Sequence, residues 1–354
     1  MPIVAEQYGH VVGVDTHART HTYVIVESAT GRVIGQETFS TSPPGLLHAA
    51  VWIERRCLAG GVLAAVEGTS TYGARLLEVL SEAGIPVVEV HPPKRGERRN
   101  GKSDTIDAEA AARTALRQDV EKLIIPRDGK PRSALRVMLM SRRSMDSHRT
   151  GHRNALTALL RSVDLGMDVR RPLTGKQISE IAAWRSRSTD DIDQRVARAE
   201  ARRLAREILL LGAELRRNKQ ELRELADALA PGLMNSWGVG PVCAAIFLTA
   251  WSHPGRVRSE AAFASLGGVA PIPASSGNTI RYRLSRQGDR QLNRALYVVA
   301  RARMASDPET RAYVSRRQAE GKTEAEIRRV LKRYIARQIY RELNSIPTLA
   351  PTIS

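Results

Sequence analysis

The chain has 354 residues, enough length for two or three domains and a sizeable buried core. Its 55 Lys and Arg outweigh 37 Asp and Glu, giving a formal net charge of +18, while 42% apolar and 26% charged residues argue against wholesale disorder. Two cysteines, Cys57 and Cys243, are too few for a disulfide framework or a cysteine zinc site, and no secretory leader or apolar run of the roughly 18 residues that span a bilayer is present. A cytoplasmic protein with a polyanionic partner is therefore expected, nucleoid-associated when active and with no membrane role, because no amphipathic anchor accompanies the charge.

The charge is unevenly placed. Residues 1–129 hold 14 basic and 16 acidic side chains, so the whole positive excess lies beyond them. This division suggests one part that holds metal or does acid chemistry and others that hold phosphates. Of the 55 basic residues 47 are Arg, whose planar fork suits phosphate oxygens and base edges, although a genomic composition bias accounts for the Arg excess equally well. At 4% aromatic residues, base stacking is not the main binding device.

In chain order, 10–15 (HVVGVD), 21–27 (HTYVIVE) and 32–39 (RVIGQETF) read as an antiparallel meander of three short β-rich strands. A helix from about Gly45 to Leu58, a strand at 62–67, a helix from about Tyr72 to Ala83 and a strand at 85–91 follow, an alternation that predicts parallel strands with helical crossovers. Together these describe a ribonuclease-H-like sheet. Asp15 ends its first strand and Glu67 its fourth; after the basic loop 92–103, Asp104 and Asp107 open a helix on one face. Mg²⁺ takes hard oxygen ligands and keeps several waters, so a few such carboxylates suffice, and two ions about 4 Å apart can clamp a phosphodiester. Each acid taken singly also has a plain account as a turn residue, strand end or helix-start charge; it is their joint position on one sheet that favours metal.

After a break at 126–132, residues 133–163 read as an Arg-studded helix. His148 and His152 lie four apart on it without an acidic partner at ligand spacing, so a polar face is the better reading. Residues 193–230 carry Leu204, Ile208, Leu211, Leu215, Asn218, Leu222, Leu225 and Leu229 in 4-3 spacing, a coiled-coil seam with a core Asn of the kind that sets register. Self-association is expected from it, against the alternative of a hairpin within the chain. Gly238-Val239-Gly240-Pro241 opens another helix in the manner of a helix-hairpin-helix, whose backbone N–H groups can hold one DNA phosphate; a plain loop accounts for it as well. Residues 263–278 are irregular and expose Ser275, Ser276 and Asn278, followed by Arg281, Arg283 and Arg286. A serine hydroxyl attacking a phosphodiester beside arginines would suit this pattern, although a simple turn also explains it. Residues 289–302 and 322–343 are further Arg-rich helices.

The motifs GVDTH (13–17), EGTSTYG (67–73), KSDTIDAEAAAR (102–113), SWGVGP (236–241), GGVAPIPASSG (267–277) and LSRQGDRQLNRAL (284–296) occur in this order. With them the chain resembles, nearly end to end, the DEDD transposases of the insertion-sequence 110 family, which includes the pilin-gene invertases. The resemblance implies a RuvC-like domain at 1–128 with Asp15, Glu67, Asp104 and Asp107 as a Mg²⁺-binding tetrad, a helical assembly region at 129–230, and a mainly helical transposase domain at 231–354. Ser276 would be the nucleophile, with adjoining Ser275 as its rival; Gly238, Gly240, Arg281, Arg283 and Arg286 would touch nucleic acid. It further implies target and donor DNA, a structured noncoding guide RNA, and a homo-oligomer, dimeric and then tetrameric on DNA, whose protomers share composite sites. Two rivals remain: a two-metal junction nuclease that uses water, and a non-catalytic RNA- or DNA-binding assembly protein. No Walker sequence is present.

Overall fold

The computed structural model describes residues 2–57, 60–69, 71–90, 103–127, 130–273, 282–283, 285 and 288–346. They form two compact units, residues 1–128 and 129–354. Among the described residues no helix is long and apolar enough to cross a membrane.

In the first unit a short helix α1 (Val4–Gln7) precedes β1 (His10–Thr16), β2 (Thr20–Glu27) and β3 (Val33–Ser40). Then come α2 (Pro43–Arg56), β4 (Val62–Val66), α3 (Ala74–Glu82), β5 (Val87–Glu89) and α4 (Asp104–Leu116). The sheet order is β3-β2-β1-β4-β5; β2 pairs antiparallel with both β1 and β3, whereas β4 runs parallel to β1 and β5. The meander and the parallel crossovers thus stand where the apolar runs place them. Because strand side chains alternate, Val12, Val14, Tyr23, Ile25, Ala64 and Val66 meet Leu46, Ile53, Leu76 and Leu80 of α2 and α3. Val11, Val24, Val26, Leu63 and Ala65 point the other way, onto Ala108, Ala111, Ala112 and Ala115 of α4.

The small residues of α4 matter at one point in particular. A Cβ on Gly13 of β1 would lie 1.8 Å from the Ala108 carbonyl oxygen and 2.7 Å from the Ala112 nitrogen. Helix and strand backbones touch there, and only glycine permits it.

The second unit contains α5 (Lys130–Ser162), α6 (Gly175–Ala182), α7 (Ile192–Leu229), α8 (Pro241–Trp251), α9 (Glu260–Leu266), a two-stranded hairpin of β6 (Ile272–Pro273) and β7 (Tyr282–Arg283), α10 (Arg290–Ser306), α11 (Pro308–Ala319) and α12 (Glu324–Ser345). The pattern of α6 and α11 is too short and too polar to stand out in sequence, and α9 occupies the start of the stretch read as irregular. One core joins Leu156, Leu160 and Ile178 to Leu204 and Ile208; another joins Leu135, Leu139 and Leu222 to Phe247, Leu296 and Ile339. Helices of the middle and last regions therefore share a core, with α5 and α7 antiparallel.

This corrects the expected occupant of the heptad seam. Leu204, Ile208, Leu215, Asn218 and Leu222 are buried, in cores that α5 of the same chain supplies. The seam closes within the chain because α5 is an Arg-rich amphipathic helix long enough to lie along α7. Asn218 donates to the Met138 carbonyl (3.2 Å) and accepts from Arg142 (3.4 Å), so its register role is played across an intrachain hairpin. Before the Gly238–Pro241 hairpin the chain makes only a single 3-10 turn at Leu233–Asn235, because Gly232 takes a left-handed conformation (φ 84°) just after α7 ends.

Candidate active site

Three local devices position the acids of the first unit. By strand alternation Asp15 shares the α4 face with Val11 and Gly13, and Glu67 shares it with Leu63 and Ala65. Val14 pairs with Val66, the Glu67 N–H donates to the Val14 carbonyl (3.2 Å), and Thr16 Oγ1 donates to the Glu67 carbonyl (2.9 Å). The backbones bearing Asp15 and Glu67 are thereby locked side by side. Gly68, with φ +63°, turns the chain away immediately afterwards.

The helix start is the second device. Ser103 caps α4 by accepting from the Ile106 N–H (3.3 Å), which fixes Asp104 in the first turn and Asp107 one turn on. The third is the Gly13 contact, which lowers α4 onto β1.

The result is a cluster centred on Asp15. His17 Nε2 lies 3.1 Å from Asp15 Oδ2 and 3.3 Å from Asp104 Oδ1. Ligand atoms of Asp15, His17 and Asp104 all fall within 4.8 Å of one another; Glu67 and Asp107 are not part of that group. Asp15 and Asp107 are buried, while Asp104 is exposed. Burial raises the Asp15 carboxyl above its ordinary range; His17 draws it down, and the charges of Asp104 and Asp107 push it up. A buried carboxylate crowded by two others, with oxygen and imidazole donors facing one point, suits a divalent cation.

In the second unit the glycine before α10 has a steric cause. Gly288 (φ +110°) sits where a Cβ would be 2.6 Å from the Leu266 carbonyl oxygen. Asp289 caps α10 through the Gln291 and Leu292 N–H groups, Asn293 donates to the Gly267 carbonyl (2.6 Å), and Lys332 of α12 donates to Asn293 (2.8 Å). This chain of bonds ties α10 and α12 to the C-terminal end of α9. Arg283 lines a cavity of about 290 Å³ with Arg329, Lys332, Arg333, Tyr334 and Arg337 of α12. Ser275, Ser276, Arg281 and Arg286 lie outside the described residues. Gly238 packs on α10, where its Cβ would come 3.1 Å from Ala302 Cβ; Gly240 caps α8 with open space around it.

Residues 12–164 match a family of DEDD transposases of IS110 elements, described as transposase, and residues 230–315 match the transposase IS116/IS110/IS902 family. The chain belongs to the IS116/IS110/IS902 family of transposases. The transposase is similar to the 42 kDa protein of insertion element IS900 from Mycobacterium paratuberculosis, at 26% identity over 360 residues, 88% of this chain and 89% of that one. It is also similar to the 43.6 kDa protein of insertion element IS110 from Streptomyces coelicolor, at 39% identity over 99 residues, 28% of this chain and 24% of that one. It is accordingly an enzyme acting on DNA. The acid cluster lies within the first matched segment and the hairpin with Arg283 within the second.

His17 is the member of the transposase cluster that the sequence reading overlooked. Its local signal is its spacing: residues two apart at a strand end share a face, which puts His17 on the face of Asp15.

Proposed function

We propose that this transposase is a site-specific DNA recombinase of its insertion sequence, cutting and rejoining DNA through a covalent serine–phosphate intermediate under the guidance of a structured noncoding RNA. The observation that carries the reading is the convergence of Asp15 with Asp104 at the end of β1, with the charge of Asp107 acting on the same carboxyl. The sheet order, with acids just beyond β4, at the end of β1 and on the covering helix, supports a RuvC-like domain. Asp15, Glu67, Asp104 and Asp107 would hold Mg²⁺, which when bound supplies positive charge to the phosphate oxygens at the break.

The protein's own groups do the rest. Asp15 and Glu67 are held rigid by the sheet, and Asp104 stands exposed where substrate can approach. The Ser276 oxygen bonds to phosphorus as one deoxyribose oxygen leaves; the serine gives up its proton, and the leaving oxygen takes one up to become a hydroxyl. A free hydroxyl of another strand then attacks the serine ester and releases the side chain. The number of phosphoester bonds is unchanged, so no nucleoside triphosphate is consumed. The Arg283 cavity and the positive excess beyond residue 129 support the binding of nucleic acid. Exposed Ile192, Val196 and Leu210 on α7 support self-association.

A denaturing gel of the protein with its element's DNA, its RNA and Mg²⁺ tests the reading. A protein–DNA adduct that disappears in Ser276→Ala and survives in Ser275→Ala is expected. Loss only in Ser275→Ala would move the nucleophile by one residue, and strand cleavage without an adduct in Ser276→Ala would establish the water-using nuclease instead. Asp15→Asn should abolish cleavage. If the Asp15, Glu67, Asp104 and Asp107 quadruple alanine variant retains recombination, the catalytic reading is lost and an assembly protein remains.

A further inference from the structure

The four acids do not account for the geometry at the end of β1. His17 begins the turn between β1 and β2, its N–H donating to the Thr20 carbonyl (3.1 Å). Thr41 braces that turn from outside: its N–H donates to the Arg19 carbonyl (3.0 Å) and its hydroxyl to the Ala18 carbonyl (3.1 Å). The imidazole is therefore mounted on a pinned backbone. It continues the alternation of Gly13 and Asp15 onto the α4 face, and its Nε2 lies within 3.1 and 3.3 Å of carboxylate oxygens from two separate elements. It is 46% exposed, and Asp104 is 52% exposed, so the point between them is open to an incoming ion. Two of the four acids, Glu67 and Asp107, lie outside the tight group that includes this nitrogen.

We propose that His17 is a ligand of the divalent metal, so that Asp15, His17 and Asp104 form a mixed imidazole–carboxylate centre. This rests on the reading of the acid cluster as a metal site. An all-carboxylate site suits Mg²⁺, whereas a nitrogen donor adds most for transition ions such as Mn²⁺ and Co²⁺ and little for Mg²⁺. The transposase should thus hold Mn²⁺ more tightly than a purely oxygen-lined site would, and His17 should be the cause.

The test uses the full-length protein and Mn²⁺ alone, without DNA. Pulsed electron paramagnetic resonance of bound Mn²⁺ should display ¹⁴N modulation from a coordinated imidazole, and His17→Ala should remove it. His17→Ala should also weaken Mn²⁺ binding about tenfold or more while Mg²⁺, read by competition, changes by less than about threefold. His17→Asn, which keeps a polar side chain in the turn, should give the same loss and serves should the alanine variant misfold. Asp15→Asn should depress the binding of both ions. Mn²⁺ binding that needs Asp15 but carries no ¹⁴N modulation, or modulation that persists without His17, overturns the ligand role and leaves the acid site standing. Mn²⁺ binding indifferent to Asp15→Asn removes the metal site itself, and the proposal with it.

Discussion

Gly13 sets how closely α4, with Asp104 at its start, lies on the strand that carries Asp15. A methyl group there would overlap the Ala108 carbonyl, and neither backbone can give way as a flexible side chain could. Gly13→Ala should therefore cost at least about 1–3 kcal/mol, read from urea denaturation, and, if the proposed site binds a divalent cation, should blunt the thermal stabilisation that the cation gives, because α4 carries Asp104 and Asp107. Gly175→Ala is the contrasting change: at the first position of α6, with nothing within 4 Å of the added carbon, it should be neutral or slightly stabilising. A second residue-scale prediction concerns Asp190. Its carboxylate accepts from Arg198 Nε (2.5 Å) and Nη2 (2.9 Å), both side chains are buried, and the guanidinium stacks on Trp184. Hydrogen bonding to Arg198 holds Asp190 below its ordinary value of 3.8. A lowered folded value stabilises the protein above the unfolded value, and that contribution is lost as pH falls below about 4. The urea midpoint of the parent should drop between pH 5 and pH 3 by more than that of Asp190→Asn, which should already be the less stable protein at neutral pH.

At the scale of elements, the α5–α7 hairpin shows how one periodic pattern admits two partners. The 4-3 spacing states that α7 has an apolar stripe, but it does not say which helix covers it. Arg142 reaches the Leu215 carbonyl (2.9 Å) and Asn218 from α5, and burial pulls its guanidinium below its ordinary range. Asn218→Ala would leave the Met138 carbonyl and Arg142 short of a partner, so a loss of about 1–3 kcal/mol in urea denaturation is expected. The same variant should leave the mass of the free protein in light scattering unchanged, since the seam is closed within the chain. A shift in that mass would return the seam to an intermolecular role.

At the scale of the whole molecule, charge is divided between the two units. The first holds 14 basic and 16 acidic side chains and the second 41 and 21, so the second alone carries the positive excess. DNA affinity should fall steeply and linearly on a log–log plot against salt. Replacing Arg329 and Arg333 together with Ala should lower the slope by about 2, because each arginine that neutralises a phosphate releases about one counterion. An unchanged slope would show that the α12 cavity does not carry the backbone.

Much of the first unit was legible in the sequence. Alternating β-rich runs, crossover lengths and acids at strand ends are local properties, written within a few residues of each position. Asp15, Glu67, Asp104 and Asp107 could be chosen on that basis, and the helix start at Asp104 was signalled by the Ser103 cap. What the tertiary structure alone decided concerns distance between segments far apart in the chain. Gly13 against Ala108, His17 between Asp15 and Asp104, and α5 over the α7 seam each join residues whose proximity no local pattern encodes. Periodicity determines which face of an element must be buried, because that depends on backbone geometry; packing determines against what, because that depends on the shapes of everything else the chain has folded.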